Sequence, residues 1–140
     1  MKSSYNRLIF ILSLIGILVA IYVLQSFIRQ SSIVCVNNGC EIVRKSLYSY
    51  PLGIPVPAFG LIGYSLLTLF TFLRTISSDR RLLYGILGIS VFGVLFVSWF
   101  TFMELFIIKA VCTWCAVSAI NMFIIFFLVV KIHQMEVRKK

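Results

Sequence analysis

Acidic residues, histidine and charge in general are scarce in this chain. Its 140 residues include four Asp or Glu and one His, and 12% are charged against 61% hydrophobic. A soluble domain carries about a quarter charged residues on its solvated surface, so a water-soluble globular class is excluded. The single histidine, His133, lies far along the chain from any cysteine and reads as a solvated residue past the last apolar run. No histidine is therefore at hand as a base or metal ligand near a thiol. None of the acids falls in the middle of an apolar run, which removes the usual mark of a proton-coupled exporter. Glu104, at the end of the third run, is expected to pair with Lys109 or to stay interfacial. Repeats and low-complexity tracts are missing too. The first apolar run is longer than the 7–15 residues of a secretory leader and no small-x-small cleavage site follows it, so it reads as a retained membrane helix.

What the chain does have is four apolar runs, Leu8–Ile28, Pro57–Leu73, Leu82–Met103 and Ala110–Val130. Each approaches the roughly 20 residues that cross a hydrocarbon core of about 30 Å as a helix. The expected fold is an all-α integral membrane protein, a four-transmembrane-helix bundle forming one membrane domain over residues 1–140. The net charge of +9 would point to nucleic acid in a soluble protein. Here the basic residues sit at helix ends, so the expected neighbours are membrane lipids and no nucleic acid. With the N-terminus inside, the cytoplasmic side holds Lys2, Arg7, Arg74, Arg80, Arg81, Lys131, Arg138, Lys139 and Lys140; the outside holds only Arg29, Arg44, Lys45 and Lys109. That bias predicts a multi-pass cell-membrane protein with both termini cytoplasmic.

Under that topology all four cysteines reach the outer, oxidising face, where disulfide chemistry is permitted. Cys35 and Cys40 lie in the one long external loop, residues 29–56. Asn37, Asn38 and Gly39 between them favour a tight turn, which makes a Cys35–Cys40 disulfide sterically reasonable. The following stretch, Glu41–Tyr50, sets Ile42, Val43, Leu47 and Tyr50 to one side of a wheel and Glu41, Arg44, Lys45 and Ser49 to the other. A short interfacial helix is expected there, with Tyr48 and Tyr50 at headgroup level. Pro51, Pro55 and Pro57 then break the helix and lead into the second span. The first span, apolar from Leu14 to Leu24 apart from Tyr22, reads as an anchor. Gly60, Gly63, Gly85 and Gly88 read as small faces for helix packing, and Asn121 as an interhelical hydrogen-bonding residue.

Cys112 and Cys115 form Cys-Thr-Trp-Cys at the head of the last span. At i and i+3 they share a helix face. The orphan N–H groups and positive dipole end of the helix stabilise a thiolate at Cys112, with Lys109 adding to the effect, so Cys112 is expected to be the more acidic thiol. A disulfide within a helix is strained and therefore labile. Trp114 beside the pair suits exchange with a flat hydrophobic redox molecule, which in a bilayer means a quinone. Two rival readings use the same cysteines. A four-cysteine zinc site would need two ligands from a hydrocarbon-embedded helix in an oxidising compartment, so no metal is expected. An inert Cys35–Cys40 brace would close too short a loop to stabilise much; it would suit a non-catalytic metal-binding or scaffold membrane protein.

The order of these features resembles the vitamin K epoxide reductase family in its bacterial, quinone-linked, disulfide-forming branch without a fused thioredoxin domain. The residues that carry the resemblance are Cys-x4-Cys, then CEIVRKSLYSYPLGIPVPAFGLIGY with Ser46, Tyr48, Gly53, Ile54 and Pro55, then CTWC opening the last helix. They span about Cys35 to Ile120. The loop pair comes first and the membrane pair last, the reverse of the other quinone-linked disulfide oxidases. The resemblance implies catalysis by Cys35, Cys40, Cys112 and Cys115: Cys35 exchanging with a soluble partner, Cys40 passing electrons to Cys112, and Cys115 facing the quinone. It implies a helical bundle around a quinone, menaquinone or ubiquinone, with Ser46 and Trp114 near its head. The chain ends ten residues past the fourth span, so the expected partner is a separate extracytoplasmic thioredoxin-fold thiol oxidase. A quinone-epoxide reductase is the alternative with the same cysteines and a different acceptor.

Overall fold

The computed structural model describes residues 2–29, 39–77 and 79–139. Cys35 and the expected turn at Asn37 and Asn38 lie outside the described residues, and with them the Cys35–Cys40 pairing; Cys40 is described as a backbone position. Every regular element among the described residues is helical. The long helices are α1 (Lys2–Arg29), α3 (Val56–Ile76), α4 (Arg80–Met103) and α5 (Thr113–Arg138), and a short α2 (Gly39–Lys45) lies between α1 and α3. Four helices are long and apolar enough to cross a membrane, over Ser4–Arg29, Val56–Ile76, Arg80–Ile108 and Thr113–Arg138. The chain is a four-helix membrane bundle. These spans outrun the apolar runs at most ends, because a helix continues past the hydrocarbon wherever Lys and Arg can reach the headgroups. The fourth is the exception at its start. It opens at Thr113, with Cys112 as N-cap in extended backbone (φ −80°, ψ 127°), so Cys112 stands just ahead of the spanning helix rather than inside it.

The helices close a ring in which α1 packs on α3, α3 on α4, α4 on α5 and α5 back on α1. Ile9, Tyr64, Leu67, Leu83, Ile86, Met122, Ile125 and Val129 fill the centre. Polar groups tie the helices at one end. Asn6 donates to Thr75 Oγ1 at 2.9 Å and to the Thr71 carbonyl at 3.3 Å, and Arg74 forms an ion pair with Glu136. Midway, Asn121 Nδ2 donates to the Leu12 carbonyl at 3.0 Å, the interhelical role expected of it. His133 departs from its expectation: it lies within α5 and packs edge-on against Tyr84, ring centroids 5.7 Å apart.

The glycine reading also shifts. A Cβ at Gly60, Gly63 or Gly88 would meet nothing within 4 Å, and one at Gly85 would make ordinary contact with Phe70 at 3.8 Å. The close approaches are elsewhere, at Gly16 against the Tyr64 ring and at Gly93 against Met122. The short helix of the loop is present but ends at Lys45, and the chain continues through tight turns at Leu47–Ser49 and Pro51–Gly53. This break undoes the ten-residue wheel expected for Glu41–Tyr50. Arg44 and Ser49 are buried, Ser49 by donating its hydroxyl to the Val43 carbonyl, while Leu47 and Leu52 are 90% and 94% exposed.

Candidate active site

The head of α5 and the tail of α4 meet at the end of the bundle opposite the Arg74–Glu136 pair. After Met103 the α4 helix widens into one π turn, Glu104–Ile108, closed by Lys109 in the left-handed region (φ 59°). Both Lys109 and Ala110 donate their N–H groups to the Glu104 carbonyl. A π turn inserts an extra residue and rotates what precedes it, and a non-glycine residue at positive φ costs about 1–2 kcal/mol. The result is a sharp reversal into Cys112 that turns Glu104 inward, to 1% exposure. The sequence expectations for Glu104, interfacial or paired with Lys109, did not include this burial against the thiols.

Cys112 is 1% exposed and belongs to a small cluster with Val43, Val56 and Phe100, against which Trp114 and Cys115 pack. Val43 is on α2, and α2 rests on α5 and on the π turn. Cys40 therefore stands one helical turn before a residue that shares a cluster with Cys112. The Cys112 thiol is drawn below its ordinary value, to about 7, chiefly by a hydrogen bond from the Cys115 thiol. Burial opposes this, and the backbone amides of Cys115 and Trp114 reinforce it. The expected acidity of Cys112 is thus present, with its thiol neighbour as a larger cause than the helix start.

Beneath the pair lies a cavity of about 100 Å³ among α1, α3, α4 and α5. A single water needs about 10–15 Å³ on this measure, so the space suits a planar ring. Its walls are apolar, including Val19, Ala20, Phe59, Phe96 and Met122, with Cys115, Trp114 and Ser118 on the α5 side. Gly60 and Gly63 border it too, so their missing side chains leave room in the cavity rather than bring helices together. Tyr64 lines the floor, its hydroxyl donating to the Ser118 carbonyl at 2.9 Å. The Tyr22 ring meets Trp114 edge-on at 5.1 Å, which makes α1 a wall of the site and more than an anchor. Ser46 is placed differently: it caps the Leu47–Ser49 turn, accepting from the Tyr48 N–H at 3.3 Å, and is not among the cavity's lining residues.

The structure thus brings Cys112, Cys115 and Trp114 together, sets the Cys40 backbone on the helix that covers them, and adds Glu104, Tyr22 and Tyr64. Tyr22 had a sequence signal, as the one polar interruption of an apolar run, and Glu104 stood out as the acid at the end of one, though nothing marked its burial at the thiols; Tyr64 had no signal that singled it out. Arranged this way, an acidic thiol and a second thiol on an apolar, ring-sized cavity can pass electrons between a dithiol and an apolar acceptor. In comparisons with known proteins, the model described as Vitamin K epoxide reductase family matches residues 7–130. No curated protein matches the chain.

Proposed function

The chain belongs to the vitamin K epoxide reductase family and is a membrane oxidoreductase; from that premise we propose that it reoxidises an extracytoplasmic thioredoxin-fold protein and delivers the electrons to a quinone. The net reaction converts partner dithiol and quinone into partner disulfide and quinol, two electrons and two protons moving together. The observation that carries this reading is the ring-sized apolar cavity bordered by Cys115 and Trp114, with Cys112 immediately beside it.

In the first exchange a partner thiolate attacks the Cys35–Cys40 disulfide at Cys35, the electron pair leaves on Cys40, and the partner's second thiol then attacks the first to release its own disulfide and free the Cys35 thiol. In the second, Cys40 attacks Cys112, the Cys112–Cys115 bond breaks, and Cys35 then resolves the Cys40–Cys112 link. The packing of α2 on the head of α5 supports that order. A quinone in the cavity supplies the two-electron, two-proton acceptor. Around it, Trp114 offers a flat face held by Tyr22, Gly60 and Gly63 leave space, and the apolar walls exclude water. Ser46, from the family resemblance, is kept as a quinone-side residue of the proposal. The membrane orientation proposed puts both termini in the cytoplasm and the four cysteines outside.

The test is the absorbance change of a menaquinone or ubiquinone analogue mixed with purified protein and a reduced thioredoxin-fold donor. Reduction by wild type that disappears in Cys115→Ala is the expected result. If wild type reduces neither quinone, the proposal fails and the bound-metal content becomes the next assay.

A further inference from the structure

Glu104 is a carboxylic acid at the redox pair that the relay just described does not use. It is 1% exposed, and its Oε1 is buried without a hydrogen-bond partner among the described residues. The carboxyl lies within hydrogen-bonding reach of the backbone N–H of Cys112 and of the Cys115 side chain. Glu104 also borders an open cleft of about 470 Å³, lined by Gly39, Ile42 and Lys109 among others. An unpaired charge at such depth costs several kcal/mol, and a site that serves only to fill space would hold an apolar residue. The position is unusual in a second way, since the π turn and the strained Lys109 are what turn this residue inward. Glu104 thus belongs both to the surroundings of the thiol pair and to the lining of a cleft wide enough for water.

The geometry points to Glu104 as the general acid of the thiol exchange, handing a proton to Cys115 as the Cys112–Cys115 disulfide opens. This rests on the relay reading above. A dithiol's thiolate attacks Cys112, a new sulfur–sulfur bond forms there, and the Cys112–Cys115 bond breaks with its electron pair leaving on Cys115. The carboxyl O–H of Glu104 gives its proton to that sulfur, and the carboxylate recovers one from water in the cleft. When the thiols are later oxidised the path runs in reverse: Glu104 first gives its proton to water in the cleft and, as the carboxylate, then takes the proton from Cys115. Carriage of the proton by Glu104 spares the buried site a second thiolate beside Cys112.

The half-reaction can be read without a quinone or a partner protein. Full-length protein with Cys35→Ala and Cys40→Ala, its Cys112–Cys115 disulfide formed, is mixed with dithiothreitol between pH 6 and 9, quenched by alkylation and weighed. A general acid contributes about 10²-fold or more. Glu104→Gln should therefore open the disulfide about 10²-fold more slowly at pH 6, the gap closing as pH rises and the acid form is lost. Glu104→Asp should recover part of the rate. Equal rates in Glu104→Gln and wild type, or a loss of the same size at every pH, would overturn the assignment; the latter would mark a purely structural residue. Normal Glu104-dependent opening in this Cys35→Ala, Cys40→Ala background, together with no quinone reduction by the wild type, would overturn the proposed function and leave the role of Glu104 standing.

Discussion

At the scale of single residues, Cys112 owes its acidity to Cys115 more than to the helix it caps. The Cys112 thiol is held near 7, first by the Cys115 hydrogen bond, where an unperturbed cysteine titrates near 8.5. Thiolate is the reactive form, so alkylation should rise with pH through a midpoint near 7 at Cys112 in reduced protein, mapped by mass spectrometry. Restricted access slows the absolute rate by the same factor at every pH, so the midpoint still reports the thiol's titration. Cys115→Ala removes the largest cause and should shift the midpoint upward, toward the ordinary thiol value. A wild-type midpoint at or above the ordinary value, or no upward shift in the variant, would contradict the assignment. The placing of Cys112 and Cys115 together at the head of the last span was legible from the sequence, since their spacing marks Cys-x-x-Cys. The inward turn of Glu104 was not, because hydropathy assigns an acid at the end of an apolar run to the interface. Only the extra residue of a π turn redirects it, and no apolar periodicity encodes that.

At the scale of elements, the glycines divide by what surrounds them. On α1, Gly16 lies against the ring of Tyr64, which is buried and pinned through its hydroxyl to Ser118. Gly16→Ala gains at most about 1 kcal/mol of helix propensity but overpacks a ring that cannot retreat, at about 1–3 kcal/mol. The balance is loss of stability, read as a lower unfolding temperature in detergent. On α3, Gly60 borders the cavity with nothing within 4 Å of a Cβ. Gly60→Leu should fold at least as stably as wild type while raising the quinone KM about tenfold or more, some 1.4 kcal/mol of lost binding. Equal effects of the two substitutions on stability would remove the distinction between a packing glycine and a cavity glycine. The four spans themselves were readable because length and apolarity define them. Which glycine faces a ring and which faces a void depends on helix register, and that is set by tertiary packing. The loop helix shows the same limit: a wheel drawn over ten residues fails once the chain leaves α-helical geometry at Lys45, and Arg44 and Ser49 turn inward.

At the scale of the whole molecule, the bundle has two unlike ends. One holds the Asn6–Thr75 hydrogen bond and the Arg74–Glu136 pair among helix ends rich in Lys and Arg. The other holds Cys112, Cys115, Glu104 and the cleft, with Leu47 and Leu52 projecting from the turns beside α2. The proposed chemistry works in only one orientation, since the reducing cytoplasm would keep both pairs as dithiols and stall the relay. Charge favours the same orientation, because Lys and Arg collect on the cytoplasmic side of short loops. Single-cysteine reporters in a background lacking all four native cysteines can read it directly. Ser4→Cys and Asp79→Cys should resist a membrane-impermeant maleimide in intact cells and react once the cells are opened. Leu52→Cys, being fully projecting, should react in intact cells. The reverse pattern would put the thiols in the reducing compartment, and a protein so oriented could not export oxidising equivalents whatever its cysteines can do in detergent.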